Sequence, residues 1–130
     1  MTIGVDVSKD HLVWGERQGP THSIDNSPKA VSRFLAGISP GAIIAMEATG
    51  RYHRLLADTA YLRSLGVYVF NPRDVNRYAK SISPRASTDP IAARVIAEFA
   101  SIRTHRLYTP APAFADKLKD LVRSRAGLVK

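Results

Sequence analysis

TIGVDVS, residues 2–8, alternates the apolar Ile3, Val5 and Val7 with Thr2, Gly4 and Asp6, the two-residue period of a strand with one face toward a core. An aspartate inside such a strand is costly to bury unless it is paired or bound to a cation. Outward from it, HLVWGER (residues 11–17) and THSI (21–24) read as two further strands joined by a turn at Gln18, Gly19 and Pro20, so the chain opens as an antiparallel meander. Ser27 caps and Pro28 starts a helix that runs to about Gly37. AIIAM, residues 42–46, is an unbroken apolar run suited to a strand covered on both faces, and it delivers Glu47 at its end.

Tyr52, Leu55, Leu56, Thr59 and Leu62 then recur at helical spacing, with Gly66 expected as the residue that ends the helix. A strand at 67–70 follows. Asn71 and Pro72 open a short helix on which Arg73, Asn76, Arg77 and Lys80 make one basic stripe. That stripe suits phosphate, and a solvated helix side explains it equally well. SISPRAS, residues 81–87, lacks periodicity and reads as a mobile loop. A helix from Pro90 to Ile102 carries a core stripe of Ile91, Val95, Phe99 and Ile102. After the Pro-rich THRLYTPAP, a last helix from about Ala113 keeps an apolar face to the final residues without a stop signal, which predicts continuation into a longer helix or coiled coil and a homo-oligomer formed through it.

The element order is that of a mixed α/β fold. At 130 residues the chain fits one domain, and 45% apolar with 23% charged residues is the balance of a packed globule. A net charge of +8 and a pI near 10.2 favour polyanionic partners. A membrane is disfavoured, since no apolar run approaches the ~20 residues of a spanning helix. The absence of cysteine removes disulfides and thiolate metal sites and suits the cytoplasm, as does a start without signal-peptide regions.

Asp6, Glu47 and Asp89 are the candidate metal ligands. If the strands that end at Asp6 and at Glu47 are adjacent, both carboxylates enter one crevice, and hard oxygen donors from separate elements are what Mg²⁺ requires, with Mn²⁺ as substitute. The bland readings stay open: Glu47 as an exposed residue opening a turn, and Asp89 before Pro90 as an N-cap. His11, His53 and His105 lack zinc-site spacing, and no Gly-rich phosphate loop is present.

GVDVSKDHL, MEATGRYHRLLA and TDPIAARVIAEFA together resemble the N-terminal domain of DEDD transposases, insertion-sequence family one-ten, which includes the pilin-gene invertases. The resemblance covers roughly residues 3–99. It implies an RNase H-like, RuvC-type mixed sheet flanked by helices over residues 1–104, with 105–130 a linker and the start of a helical, coiled-coil segment. It also implies a catalytic site of four acids that bind Mg²⁺ for phosphodiester cleavage in transposition or site-specific inversion. DNA would be the substrate in a prokaryotic cytoplasm, and a structured bridge RNA a guide. By motif, Asp6, Glu47 and Asp89 are the first three acids, and Ala92 stands where the fourth is expected. That exchange implies a weakened site. Full-length relatives add a C-terminal serine domain that this chain lacks, and Ser8, Ser81, Ser83 and Ser87 do not replace it. Arg73, Asn76, Arg77, Lys80 and Arg85 are the candidate nucleic-acid contacts, with Arg51 and His53 beside Glu47. The rivals are a stand-alone Holliday-junction resolvase, a non-catalytic nucleic-acid-binding and dimerisation module, and a sugar kinase, for which the chain is short and lacks a phosphate loop.

Overall fold

The computed structural model describes residues 1–82 and 89–110. Its elements are β1 (Thr2–Val7), β2 (His11–Gly15), β3 (Thr21–Asp25), α1 (Pro28–Ala36), β4 (Ile43–Glu47), α2 (Arg54–Leu62), β5 (Gly66–Phe70), α3 (Pro72–Ile82) and α4 (Asp89–Ser101). The strands form one sheet in the order β3-β2-β1-β4-β5. β1, β2 and β3 are the expected antiparallel meander, while β4 and β5 run parallel to β1. Parallel neighbours need a crossover, which α2 supplies between β4 and β5.

Alternation along the strands sends their side chains into two cores. On one face Ile3, Val5, Val7, Leu12, Ile44 and Met46 meet Val31 and Leu35 of α1 and Leu56, Ala57 and Ala60 of α2. On the other, Ala45, Tyr68 and Phe70 meet Val75 and Ala79 of α3 and Val95, Ile96, Phe99 and Ala100 of α4. The three layers make an RNase H-like α/β fold. The central strand is the most deeply covered, with Ile3 and Val5 fully buried.

On the α4 face the point of closest approach is Gly4. A Cβ there would lie 2.0 Å from the Ala93 carbonyl oxygen and 2.5 Å from the Ala97 nitrogen, so α4 rests its backbone on β1. Tyr78 of α3 donates to Glu98 of α4 at 3.0 Å and joins the two helices of that layer.

Several local expectations are corrected. Gly66 does not end α2: Ser64 takes the left-handed position at φ 61°. The Leu65 N–H closes on the Ala60 carbonyl at 3.1 Å and the Ser64 N–H on Tyr61 at 3.0 Å, a Schellman ending. Gly66 instead begins β5, where a Cβ would press the tip of Ile43. β2 stops at Gly15, short of the expected Arg17, and α2 starts at Arg54 after a turn at 51–53. Ser81 and Ile82 belong to α3 rather than to a loop. Ile102 lies past the end of α4 and is 53% exposed, so it is no part of the core stripe. Ser27 does cap α1, its hydroxyl accepting from the Ala30 amide. The expected loop beyond Ile82 and the last helix lie outside the described residues.

Past α4 the chain stays on the sheet. His105 sits among Tyr68, Phe70 and Phe99, and the Tyr108 N–H donates to the Val67 carbonyl of β5 at 2.7 Å. Residues 105–108 thereby cover the β5 side of the sheet, where unpaired strand groups would otherwise be open.

Candidate catalytic carboxylates and nucleic-acid surface

Asp6 and Glu47 come together as neighbours on adjacent parallel strands. Val5 of β1 is level with Met46 of β4, so the next residue on each strand is an acid. Alternation puts Asp6 on the side of Gly4 and Glu47 on the side of Ala45, the face that α4 covers. Both carboxylates are partly buried. Burial, and then the charge of Asp6, hold the Glu47 carboxyl above its ordinary range. Two acids at neighbouring strand ends repel each other in partial isolation from water, and a cation relieves that repulsion.

The loops behind the two acids are tied to one another. The Asn26 amide donates to the Ser8 carbonyl at 2.9 Å, just beyond β1, and to the Tyr52 carbonyl at 3.0 Å in the turn after β4. Ala48 N–H reaches the Phe70 carbonyl at 2.9 Å, and the Thr49 hydroxyl donates to the Glu47 carbonyl at 3.2 Å. Asn26 ties these two loops together, whereas the sequence pattern shows it only as a residue ahead of a helix.

Asp89 is the first residue of α4, and Ala92 is one turn further on. Ala93, next to Ala92, is the residue whose carbonyl meets Gly4, two positions before Asp6 on the same face of β1. The helix that carries positions 89 and 92 therefore crosses the face on which Asp6 and Glu47 stand. Among the described residues, no three His, Cys, Asp or Glu side chains form a group able to hold a metal.

Of the basic candidates, Arg73, Asn76, Arg77 and Lys80 are all exposed along α3, opposite the buried Val75 and Ala79. The Asn71 side chain caps this helix by accepting from the Arg73 amide at 2.9 Å. Arg103, which the sequence reading passed over, joins Arg77 at a shallow cavity of about 260 Å³ between α3 and the end of α4. Both guanidinium groups thus border the layer that also covers the acids. Arg51 is exposed in the turn after Glu47, with its guanidinium over the Tyr52 ring. Arg85 lies outside the described residues.

His53 is placed differently from the other candidates. It is 8% exposed, and its Nδ1 accepts from the Thr49 amide at 3.0 Å, so its ring holds the turn that follows Glu47. Burial, and then the charge of Arg54, lower its affinity for protons, which keeps it a neutral acceptor at pH 7. Beside it Asp58, 3% exposed, accepts from the Tyr108 hydroxyl at 2.7 Å.

The model of a transposase family, the IS110-type DEDD transposases, matches residues 3–130. No curated protein matches the sequence. Among the described residues no helix is long and apolar enough to cross a membrane. The match spans all but the first two residues, and with the acid-bearing mixed sheet beneath it, the chain belongs to the IS110-type DEDD transposase family.

Proposed function

We propose that this transposase chain is a RuvC-like nuclease domain whose Asp6, Glu47 and Asp89 bind Mg²⁺, or Mn²⁺ in its place, and whose fourth ligand position is vacated by Ala92. The observation that carries the reading is the placement of Asp6 and Glu47 side by side on one face of the sheet, beneath the helix that contains Asp89 and Ala92. Transposases act on DNA, and DEDD transposases as a class depend on divalent metal. Asp6 and Glu47 fit such an ion: both are carboxylates, both are partly shielded from water, and the charge of Asp6 helps to raise the Glu47 carboxyl. When bound, the metal would supply charge neutralisation at the scissile phosphate and a more acidic water.

The chain's own residues bind and orient the strand. Arg73, Arg77 and Lys80 on α3, with Asn76 between them, present donors to backbone phosphate, Arg51 extends the surface beside Glu47, and Arg85 would add a further phosphate contact. Such contacts fix position and carry no sequence information. A structured guide RNA, and assembly of copies through the C-terminal helical segment, would complete a recombinase that joins sites in transposition or inversion.

Calorimetric titration with Mg²⁺ and Mn²⁺ tests the site. Ala92→Asp is expected to tighten binding by roughly 10–100-fold, the range over which metal-site partners act, and to raise metal-dependent nicking of DNA. Asp6→Asn is expected to abolish binding. If Ala92→Asp leaves the affinity unchanged, position 92 is not a ligand; if none of the three proteins binds metal, the chain acts as a non-catalytic nucleic-acid module. DNA affinity is a separate prediction: it should fall steeply with salt, and Arg77→Ala should reduce the slope of log affinity against log salt by about 1. A slope unchanged by that substitution would remove Arg77 from the contact surface.

A further inference from the structure

A cavity lies on the other side of the sheet from the carboxylates. It measures about 540 Å³ and is walled by Trp14, Phe34 and Ile38, with Arg33 at its rim and residues 23–25 of β3 along one edge. Trp14 and Phe34 belong to the core shared with α1 and α2, whereas Asp6 and Glu47 stand on the α4 face. The site is therefore distinct from the proposed catalytic centre and does not rest on it.

Three features of this cavity point to one kind of ligand. Its walls are aromatic: the Trp14 ring lies 4.9 Å from Phe34 and 4.5 Å from His22, centroid to centroid, and is itself only partly buried. One border is the edge strand of the sheet, which offers backbone N–H and C=O groups to a planar hydrogen-bonding edge. The rim carries one exposed cation, Arg33 of α1, with Asp25 of β3 as the acid of the lining. An aromatic wall, an unpaired polar edge and a phosphate-seeking cation are the parts of a single-stranded nucleic-acid site.

We propose that this cavity holds an unpaired base of a DNA strand, stacked on Trp14 and Phe34 with its flanking phosphate on Arg33. DNA is the occupant to which a transposase with a net charge of +8 is committed. Strand cleavage and exchange leave unpaired bases that would find a seat here, on a face away from the cutting site. A peptide strand added to β3 would use the same edge, but it would leave the aromatic wall and Arg33 without a matching partner.

Trp14 is the chain's only tryptophan, so its fluorescence reports this site alone. The intact protein would be titrated at low salt with an oligothymidine of about ten nucleotides, an abasic strand of equal length, the corresponding duplex and oligouridine. Saturable quenching by oligothymidine is expected, with affinity about tenfold or more above that for the abasic strand and the duplex. Arg33→Glu, an exposed change that leaves the core intact, should weaken it by a similar factor, and Asp6→Asn should leave it unaltered. Equal quenching by the abasic strand or duplex would overturn the stacked base. Loss of the response in Asp6→Asn would assign it to the catalytic face, tighter binding of oligouridine would replace DNA by RNA, and no quenching at all would end the proposal.

Discussion

Gly4→Ala is expected to lower the midpoint of thermal unfolding by on the order of 10 °C or more, a loss of about 3 kcal/mol. The added methyl would lie 2.0 Å from the carbonyl oxygen of Ala93 and 2.5 Å from the nitrogen of Ala97. Neither atom can rotate away, because both belong to the backbone of a hydrogen-bonded helix. Relief requires α4 to lift from β1, which opens the contacts of Val95, Ile96 and Phe99 with Ala45, Tyr68 and Phe70. Gly66→Ala is the control: its Cβ would meet the Cδ1 of Ile43, the tip of a side chain that can change rotamer, so a smaller loss is expected. Circular dichroism melts of the two variants separate the cases, and equal losses would mean that backbone approach at Gly4 is not what seats α4.

The functional consequence follows from the same contact. α4 begins with Asp89 and carries Ala92 one turn later, so the depth at which Gly4 lets it settle sets how close this helix lies to the sheet face that carries Asp6 and Glu47. A glycine two residues before an acid is easily read as a mere gap in an alternating strand. Here it is the seat of the helix that would complete the site.

The parts legible in the sequence were those with a period. Alternation around Asp6, the unbroken apolar run before Glu47 and the helical spacing in α2, α3 and α4 indicate the mixed sheet, whereas the adjacency of the two acids forty-one positions apart rests on the pairing of β1 with β4. The less legible parts depend on contacts between distant segments. Asn26 carries no periodic signal for its bonds to Ser8 and Tyr52, and His53 looks like a surface residue until its ring is found under the Thr49 amide. The ending of α2 misled for a different reason: glycine is the usual left-handed residue, but here Ser64 takes that position, and Gly66 lies in β5 beside the Ile43 side chain. Asp58 was hidden by its place in a helix, where an aspartate reads as solvent-facing.

Tyr108→Phe is expected to destabilise the protein by about 1–3 kcal/mol at neutral pH, with a deficit that shrinks on acidification. Asp58 is 3% exposed, and the Tyr108 hydroxyl at 2.7 Å is the hydrogen-bond donor to its Oδ1; its Oδ2 has no partner among the described residues. Burial raises the Asp58 carboxyl above its ordinary range, while the Tyr108 hydroxyl and the charge of Arg54 pull it back, joined by His53 only once its ring is protonated. A carboxyl raised in the folded state binds more protons folded than unfolded, so its charged form costs stability at neutral pH and that cost is relieved as pH falls through the raised value. Removing the hydroxyl takes away one of the influences that favour the charged form, so the cost at neutral pH grows. Once Asp58 is protonated, it no longer needs the donor to the same degree, and the variant approaches its parent. His53, whose protonation is disfavoured by burial, makes both proteins less stable as pH falls below about 6.5, but that loss is shared and largely cancels in the difference between them. Melts from about pH 8 to 5 read the difference directly. Asp58→Asn supplies the second arm: it keeps an acceptor for Tyr108 and removes the charge, so the Tyr108→Phe deficit measured on that background should lose its pH dependence. A deficit that stays constant with pH would mean that the Tyr108 hydroxyl is worth the same to a charged and to a protonated Asp58, and that the buried carboxylate under residues 105–108 exacts no cost at neutral pH.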